Sequence, residues 1–152
     1  MHLNIPRRNR LITGLGIMAA ASGAGALGAA PAMAAAPNPT VTHVVCPANL
    51  HVGVAATCGV SVSDVGSPSQ GAPTGTVTLQ TNQGTNTGTI TTANNTGNPA
   101  ICVLTPVDSR TSRCSFTYTP TSNTGATRIY ANYGGDGTLQ ACFGFTDVTV
   151  YP

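Results

Sequence analysis

The run from Cys114 to Asp136 constrains this chain more than any other. Cys114-Ser115-Phe116-Thr117-Tyr118-Thr119-Pro120 is followed, after a polar turn, by Ala126-Thr127-Arg128-Ile129-Tyr130-Ala131-Asn132-Tyr133-Gly134-Gly135-Asp136. Cys114, Phe116 and Tyr118 fall on one side of a period-2 strand, and so do Ile129, Ala131 and Tyr133, with Pro120 and Gly125 punctuating the gap. Two half-buried strands joined by a short connection predict an all-β sandwich. The same parity turns Tyr118 and Tyr133 inward and Tyr130 outward, where an aromatic body with a polar tip suits a contact residue.

The rest of the chain reads the same way. No stretch places apolar residues at helical spacing, and Thr, Val, Ser and Gly dominate. Strands are expected near Thr40 to Cys46, Ala55 to Ser63, Gly75 to Thr81, Thr87 to Thr92, Ala100 to Leu104, Cys114 to Thr119, Thr127 to Tyr133 and Ala141 to Tyr151. Seven or eight short antiparallel strands at regular spacing are the signature of a β-sandwich. In the last strand Phe143 and Phe145 keep one parity while Val148 and Val150 keep the other, so a bulge near Thr146 is expected to restore one buried face. Gly134, Gly135, Asp136 and Gly137 supply the dihedrals of a tight turn between the last two strands. The uncharged segment Asn82 to Asn98 reads as a mobile hairpin tip rather than core.

Residues 1–34 read as a cleavable secretory signal peptide. Arg7, Arg8 and Arg10 precede an apolar run from Leu11 to Ala30, and Ala32-Met33-Ala34 offers small residues before a cut after Ala34. The run is long enough to span a bilayer, but five glycines leave it weakly hydrophobic, so no stable membrane anchor is expected after cleavage. Arg7-Arg8 resembles a twin-arginine export signal, yet Arg10 stands where that signal prefers Phe, and ordinary Sec export is expected. Pro37 and Pro39 make 35–39 an extended linker, leaving 40–152 as one domain.

Past Ala34, Arg110, Arg113 and Arg128 stand against Asp64, Asp108, Asp136 and Asp147, a formal charge of 3 − 4 = −1 with no lysine. Such a surface cannot gather the counterion-release energy of nucleic-acid binding, which excludes nucleic acid and anionic membrane as partners. All five cysteines lie in the exported part, where an oxidising milieu favours disulfides. Two bridges among five thiols leave 5 × 3 = 15 arrangements. Cys46 to Cys58 and Cys102 to Cys114 share a separation of 12, and each such bridge would contribute about 3 kcal/mol by loop entropy.

Pro73-Thr74-Gly75-Thr76-Val77-Thr78-Leu79, Cys102-Val103-Leu104-Thr105, Cys114 to Pro120 and Tyr133-Gly134-Gly135-Asp136 resemble, in that order, the bacterial Ig-like domains of exported proteins from high-GC Gram-positive bacteria. The likeness is to the actinobacterial repeat type, here as a single copy from about Thr40 to Tyr151. It implies an immunoglobulin-like sandwich serving as a spacer or adhesive module without catalysis. It also implies Cys46 with Cys58 and Cys102 with Cys114 as structural disulfides, leaving Cys142. Where that family has small or polar residues after its glycine turn, this chain has Cys142, Phe143 and Phe145.

Catalytic and metal chemistry find little support. His43, Cys46, His51 and Cys58 have zinc-ligand types without the close paired spacing of zinc fingers, and exported cysteines oxidise more often than they bind metal. His43 and His51 are the only imidazoles past Ala34, no GxSxG elbow exists, and glutamate is absent. Asp136 alone falls far short of a calcium site. Asn94-Asn95-Thr96 fits a glycosylation acceptor, which is idle in a chain of bacterial character. No catalytic residue, metal or cofactor is expected.

The expected product is a secreted, cell-envelope-associated or extracellular module acting by surface contact, with an unknown protein or cell-wall glycan as partner. Loops over Ser67 to Gly75, Asn82 to Asn98 and Gly134 to Gln140 would form its surface. Cys142 is a buried unpaired thiol, an intermolecular one joining a covalent homodimer, or a replacement for one member of the two pairs. The alternative is a secreted carrier holding an apolar small molecule between the sheets, with Phe143 and Phe145 lining the cleft.

Overall fold

The computed structural model describes residues 35–82, 88–121 and 124–152. The signal-peptide features, from Arg7 to the cleavage position Ala34, lie outside the described residues, as does Thr87. Among the described residues every regular element is a β-strand: β1 (Thr40–Val45), β2 (Asn49–His51), β3 (Ala56–Asp64), β4 (Thr76–Thr81), β5 (Gly88–Thr91), β6 (Thr96–Gly97), β7 (Ala100–Val103), β8 (Thr105–Pro106), β9 (Thr111–Pro120), β10 (Gly125–Tyr133) and β11 (Cys142–Tyr151). No helix among the described residues is long and apolar enough to cross a membrane.

The strands form two sheets. The first runs β1-β3-β9-β5-β6, with β8 also paired to β9, and the second runs β2-β11-β10-β4-β7. All pairs are antiparallel except β2 with β11. This is an immunoglobulin-like β-sandwich. Eleven elements stand where seven or eight are expected, because β2, β6 and β8 have two or three residues each, too few to display a period.

Alternation builds the core. Cys58, Val60 and Val62 of β3, Val77 and Leu79 of β4, Phe116 and Tyr118 of β9, and Ile129, Ala131 and Tyr133 of β10 are buried between the sheets. Ile90 of β5 is wholly buried too, so the 82–98 segment contributes to the core and is not merely a hairpin tip. Its neighbour Gly88 lies against the Tyr118 ring, where a Cβ would meet Cε2 at 2.2 Å.

Two disulfides join Cys46 to Cys58 and Cys102 to Cys114, the pairs implied by the resemblance, with Cα separations of 4.5 and 6.1 Å. Their tasks differ. Cys46–Cys58 ties the end of β1 to β3 within the first sheet, whereas Cys102–Cys114 links β7 of the second sheet to β9 of the first. Such bridges are typical of extracellular proteins.

Three expectations need correction. There is no bulge near Thr146: β10 and β11 pair without interruption from Gly125 opposite Val150 to Tyr133 opposite Cys142. The inward row of β11 is Cys142, Gly144, Thr146, Val148 and Val150, and Phe143 and Phe145 face solvent. The cause is β1, which crosses so close that a Cβ on Gly144 would lie 2.3 Å from the Thr42 carbonyl oxygen. No large side chain fits inward there, so the period begins with a glycine.

The 134–141 connection is also longer than a tight turn. Asp136 organises it, one carboxylate oxygen accepting from Thr138 and the Leu139 N–H, the other from the Thr74 N–H and hydroxyl. Leu139 reaches the core. Gly135, at φ 82°, is required because a Cβ would sit 2.7 Å from the Leu139 carbonyl oxygen.

Finally, 37–39 is docked rather than a free linker. The Asn38 N–H donates to Thr138 and the Gln140 N–H donates back to Asn38. The Asn38 side-chain amide donates to Asp64 at 3.3 and 3.4 Å and to the Pro68 carbonyl at 2.7 Å. Asp64 is itself buried, and burial opposes its charge. Donation from the Gln70 N–H, the Ser69 hydroxyl, the Gly66 N–H and Asn38 outweighs that cost and holds its pKa at about 2. Arg110 closes the cluster by donating to the Gly66 carbonyl.

Candidate contact surface

With the even positions of β11 turned inward, its odd positions form one side of the second sheet's outer face. Phe143 is 67% exposed, Phe145 48% and Tyr151 44%. Register sets Asn132 of β10 opposite Phe143, Tyr130 opposite Phe145 and Arg128 opposite Asp147. The rows continue through Thr78 and Gln80 of β4 to Ile101 of β7, itself 45% exposed.

The centre of this face is held in place. The Arg128 Nε and Nη2 each donate to Asp147 at 2.7 Å, a two-point pairing that fixes the guanidinium plane. That plane lies over the Phe145 ring at 4.1 Å, and Tyr130 and Phe145 have ring centroids 6.3 Å apart. The hydrogen bond from Arg128 lowers the Asp147 pKa, and the same bond raises that of Arg128, so both stay ionised and neutralise one another. A shallow groove of about 340 Å³ adjoins the rings, lined by Asn82, Ala126, Thr127, Arg128, Tyr130 and Asp147.

Phe143 and Phe145 lie where β11 pairs with β10 alone, since β2 joins it only over Thr149, Val150 and Tyr151, and both rings are exposed outside the core. Exposed aromatic area of this kind marks interaction surfaces. Composition alone hides the patch: the signal was the unbroken parity of β11, which needs Gly144 to be read as an inward position.

The other candidates are dispersed. Cys142 is half-buried and unpaired, its thiol 2.8 Å from the Thr42 hydroxyl on β1 and turned into the sandwich. Cys46 and Cys58 are spent on each other, His43 lies outward on β1, and His51 Nδ1 meets the Pro152 carbonyl at 2.8 Å. Among the described residues no group of three or more His, Cys, Asp or Glu is placed to hold a metal ion. Both Asp136 oxygens are engaged in its own loop and Thr74, which with opposing burial leaves its pKa at about 2.

Two further expectations change, one on the loops and one on the cleft between the sheets. The 67–75 and 134–140 loops meet through Thr74 and Asp136, but Asn82 bonds Arg128, toward the other end of β10. The three segments therefore do not share one surface. Phe143 and Phe145 cannot line a cleft between the sheets, since both rings lie outside. A second open groove, of about 390 Å³, crosses the first sheet's outer face between Val45, Gly59, Ser61, Arg113 and Ser115.

No protein-family model matches the chain, and no curated protein matches it. Among solved structures, the CARDB domain of a Pyrococcus furiosus protein in complex with di-metal ions is 20% identical, with a TM-score of 0.49 over 74% of this chain and 87% of that one. A cohesin module from a Clostridium perfringens family 33 glycoside hydrolase is 8% identical, with a TM-score of 0.44 over 74% and 97%. A beta-glucosidase from Listeria innocua in complex with glucose is 10% identical, with a TM-score of 0.41 over 76% of this chain and 16% of that one. At these values the likenesses assign no function, and the sandwich is read from the chain's own strands.

Proposed function

We propose that this chain is an exported, non-catalytic module of the actinobacterial Ig-like type that works by surface contact at the cell envelope, after loss of residues 1–34. The observation that carries this reading is the exposure of Phe143 and Phe145 together on the outer face of β11, with Phe145 set against Tyr130 and the Arg128–Asp147 pair. Two disulfides and a near-neutral surface suit an oxidising exterior. The contact surface is the outer face of the second sheet rather than the loops. Cys142, turned toward Thr42, takes no part in it.

The test is adsorption of the purified protein to envelope fragments of a high-GC Gram-positive bacterium. Replacing Phe143 and Phe145 together by serine is expected to weaken adsorption at least about tenfold, equivalent to roughly 1.4 kcal/mol, while Ser61→Ala on the opposite face leaves it unchanged. Equal adsorption of the double variant and the parent would overturn the reading.

A further inference from the structure

We infer that the partner of the second sheet's outer face is an uncharged polysaccharide, bound across the row Phe143, Asn132, Thr78 and Ile101 with Phe145, Tyr130 and Gln80 beside it. The inference rests on the reading of this face as the contact surface. Charge is the first ground. The face carries two charged groups, Arg128 and Asp147, and they are paired with each other at 2.7 Å. The remaining arginines and aspartates lie elsewhere: Arg113 is on β9, Arg110 and Asp108 precede β9, Asp64 ends β3 and Asp136 lies in the 134–141 loop. A partner with net charge of either sign would find nothing complementary here.

Side-chain order is the second ground. Apolar and polar groups are mixed along the cross-strand rows: Phe143 and Ile101 flank Asn132 and Thr78 in one, and Phe145, Tyr130 and Gln80 follow one another in the other. An apolar ligand would cover Asn132, Thr78 and Gln80 and leave their donors and acceptors unmet, which is costly. A sugar ring presents C–H on its faces and hydroxyls at its rim, so it meets both kinds of neighbour. Three inter-strand steps separate β11 from β7, about 14 Å, and Phe143 and Phe145 are about 7 Å apart along their strand. An extended chain of several sugar rings fits that footprint, and the groove beside Tyr130 and Asn82 extends it.

A second copy of this chain is the competing occupant. In a two-fold contact residue i of one copy meets residue j of the other, so Asn132, Thr78 and Gln80 would have to find polar partners on this same mixed face.

The experiment is retention of the purified protein on insoluble cellulose and chitin, and affinity electrophoresis in gels containing glycogen, laminarin or galactomannan, with hyaluronan as acidic control. Retardation or retention by at least one uncharged polysaccharide is expected. It should weaken about tenfold or more in Phe143→Ala and several-fold in Asn132→Ala, and persist at about 0.5 M salt, where exposed charge pairs are screened. Failure on all five, binding to hyaluronan alone, or a concentration-dependent dimer abolished by Phe143→Ala would overturn the assignment. If the five fail while envelope adsorption still depends on Phe143, the contact surface stands and the sugar falls. If Phe143→Ala changes neither, both fall.

Discussion

Tyr118 and Tyr133, inside the sandwich, and Phe143 and Phe145, outside it, are large aromatic side chains under opposite constraints. The inner rings are almost wholly buried and fill the space between the sheets with Phe116 and Ile129. The outer pair covers no core, and its nearest partners, Arg128 and Tyr130, are themselves on the surface. In a chain with three Phe and four Tyr and no Trp, aromatic residues are scarce, yet the outer face of one sheet holds Tyr130, Phe143, Phe145 and Tyr151. Stability accounts for the first group and leaves the second unexplained. The proposed contact role would account for the second, because an exposed ring contributes free energy only when something covers it.

Removal of an inner ring is the most severe way to probe this contrast. Tyr118→Ala should lose about 3–5 kcal/mol in denaturant unfolding, whereas Phe143→Ala should stay within about 0.5 kcal/mol. Similar losses for both would erase the distinction.

Next in size is the link between the sheets. Replacing Cys102 and Cys114 together by alanine should cost about 2–5 kcal/mol and, because β7 carries Ile101 and Val103 outward, weaken contact through that face as well. A third change addresses why the phenylalanines face outward. Gly144→Ala would press a methyl group onto the Thr42 carbonyl oxygen, and such overpacking should cost about 1–3 kcal/mol. A neutral result would mean that β1 does not hold β11 in its present register.

Acid should separate interior from face with the smallest effect. Asp64 and Asp136 titrate at about 2, below the ordinary carboxylate value of 3.8. Their contribution is therefore present above the unfolded value and disappears as pH falls from about 4 through 2. Melting temperature should be flat between about pH 7 and 5 and fall below about 4, less steeply in Asp64→Asn. Contact by Phe143 should not change over the upper range.

The long strands were legible because residues such as Val60, Val62, Ile129, Ala131 and Tyr133 alternate without interruption. Placing the phenylalanines was harder. The inward neighbour of Phe143 and Phe145 is Gly144, which carries no hydrophobic signal, and the reason for a glycine there is the Thr42 backbone from the other end of the chain. Asn38 escaped for a similar reason. Its role depends on Asp64, Pro68, Thr138 and Gln140 converging on one amide residue, a coincidence of tertiary structure with no local period. The surface followed once the parity of β11 was known, since register then set each outward residue beside its neighbours.

The two ends of the folded unit leave it at opposite poles. Asn38 and Thr40 are fastened beside Leu139 and Gln140, while Tyr151 lies by Leu50, Val52 and His51, near the Gly53 and Pro120 pole. Tension applied between those ends would run lengthwise along β1 and β11, loading their hydrogen bonds in shear all at once rather than unzipping them one by one. Cys46–Cys58 sits at the far end of β1, where it would stop that strand from sliding off β3 under flow or traction.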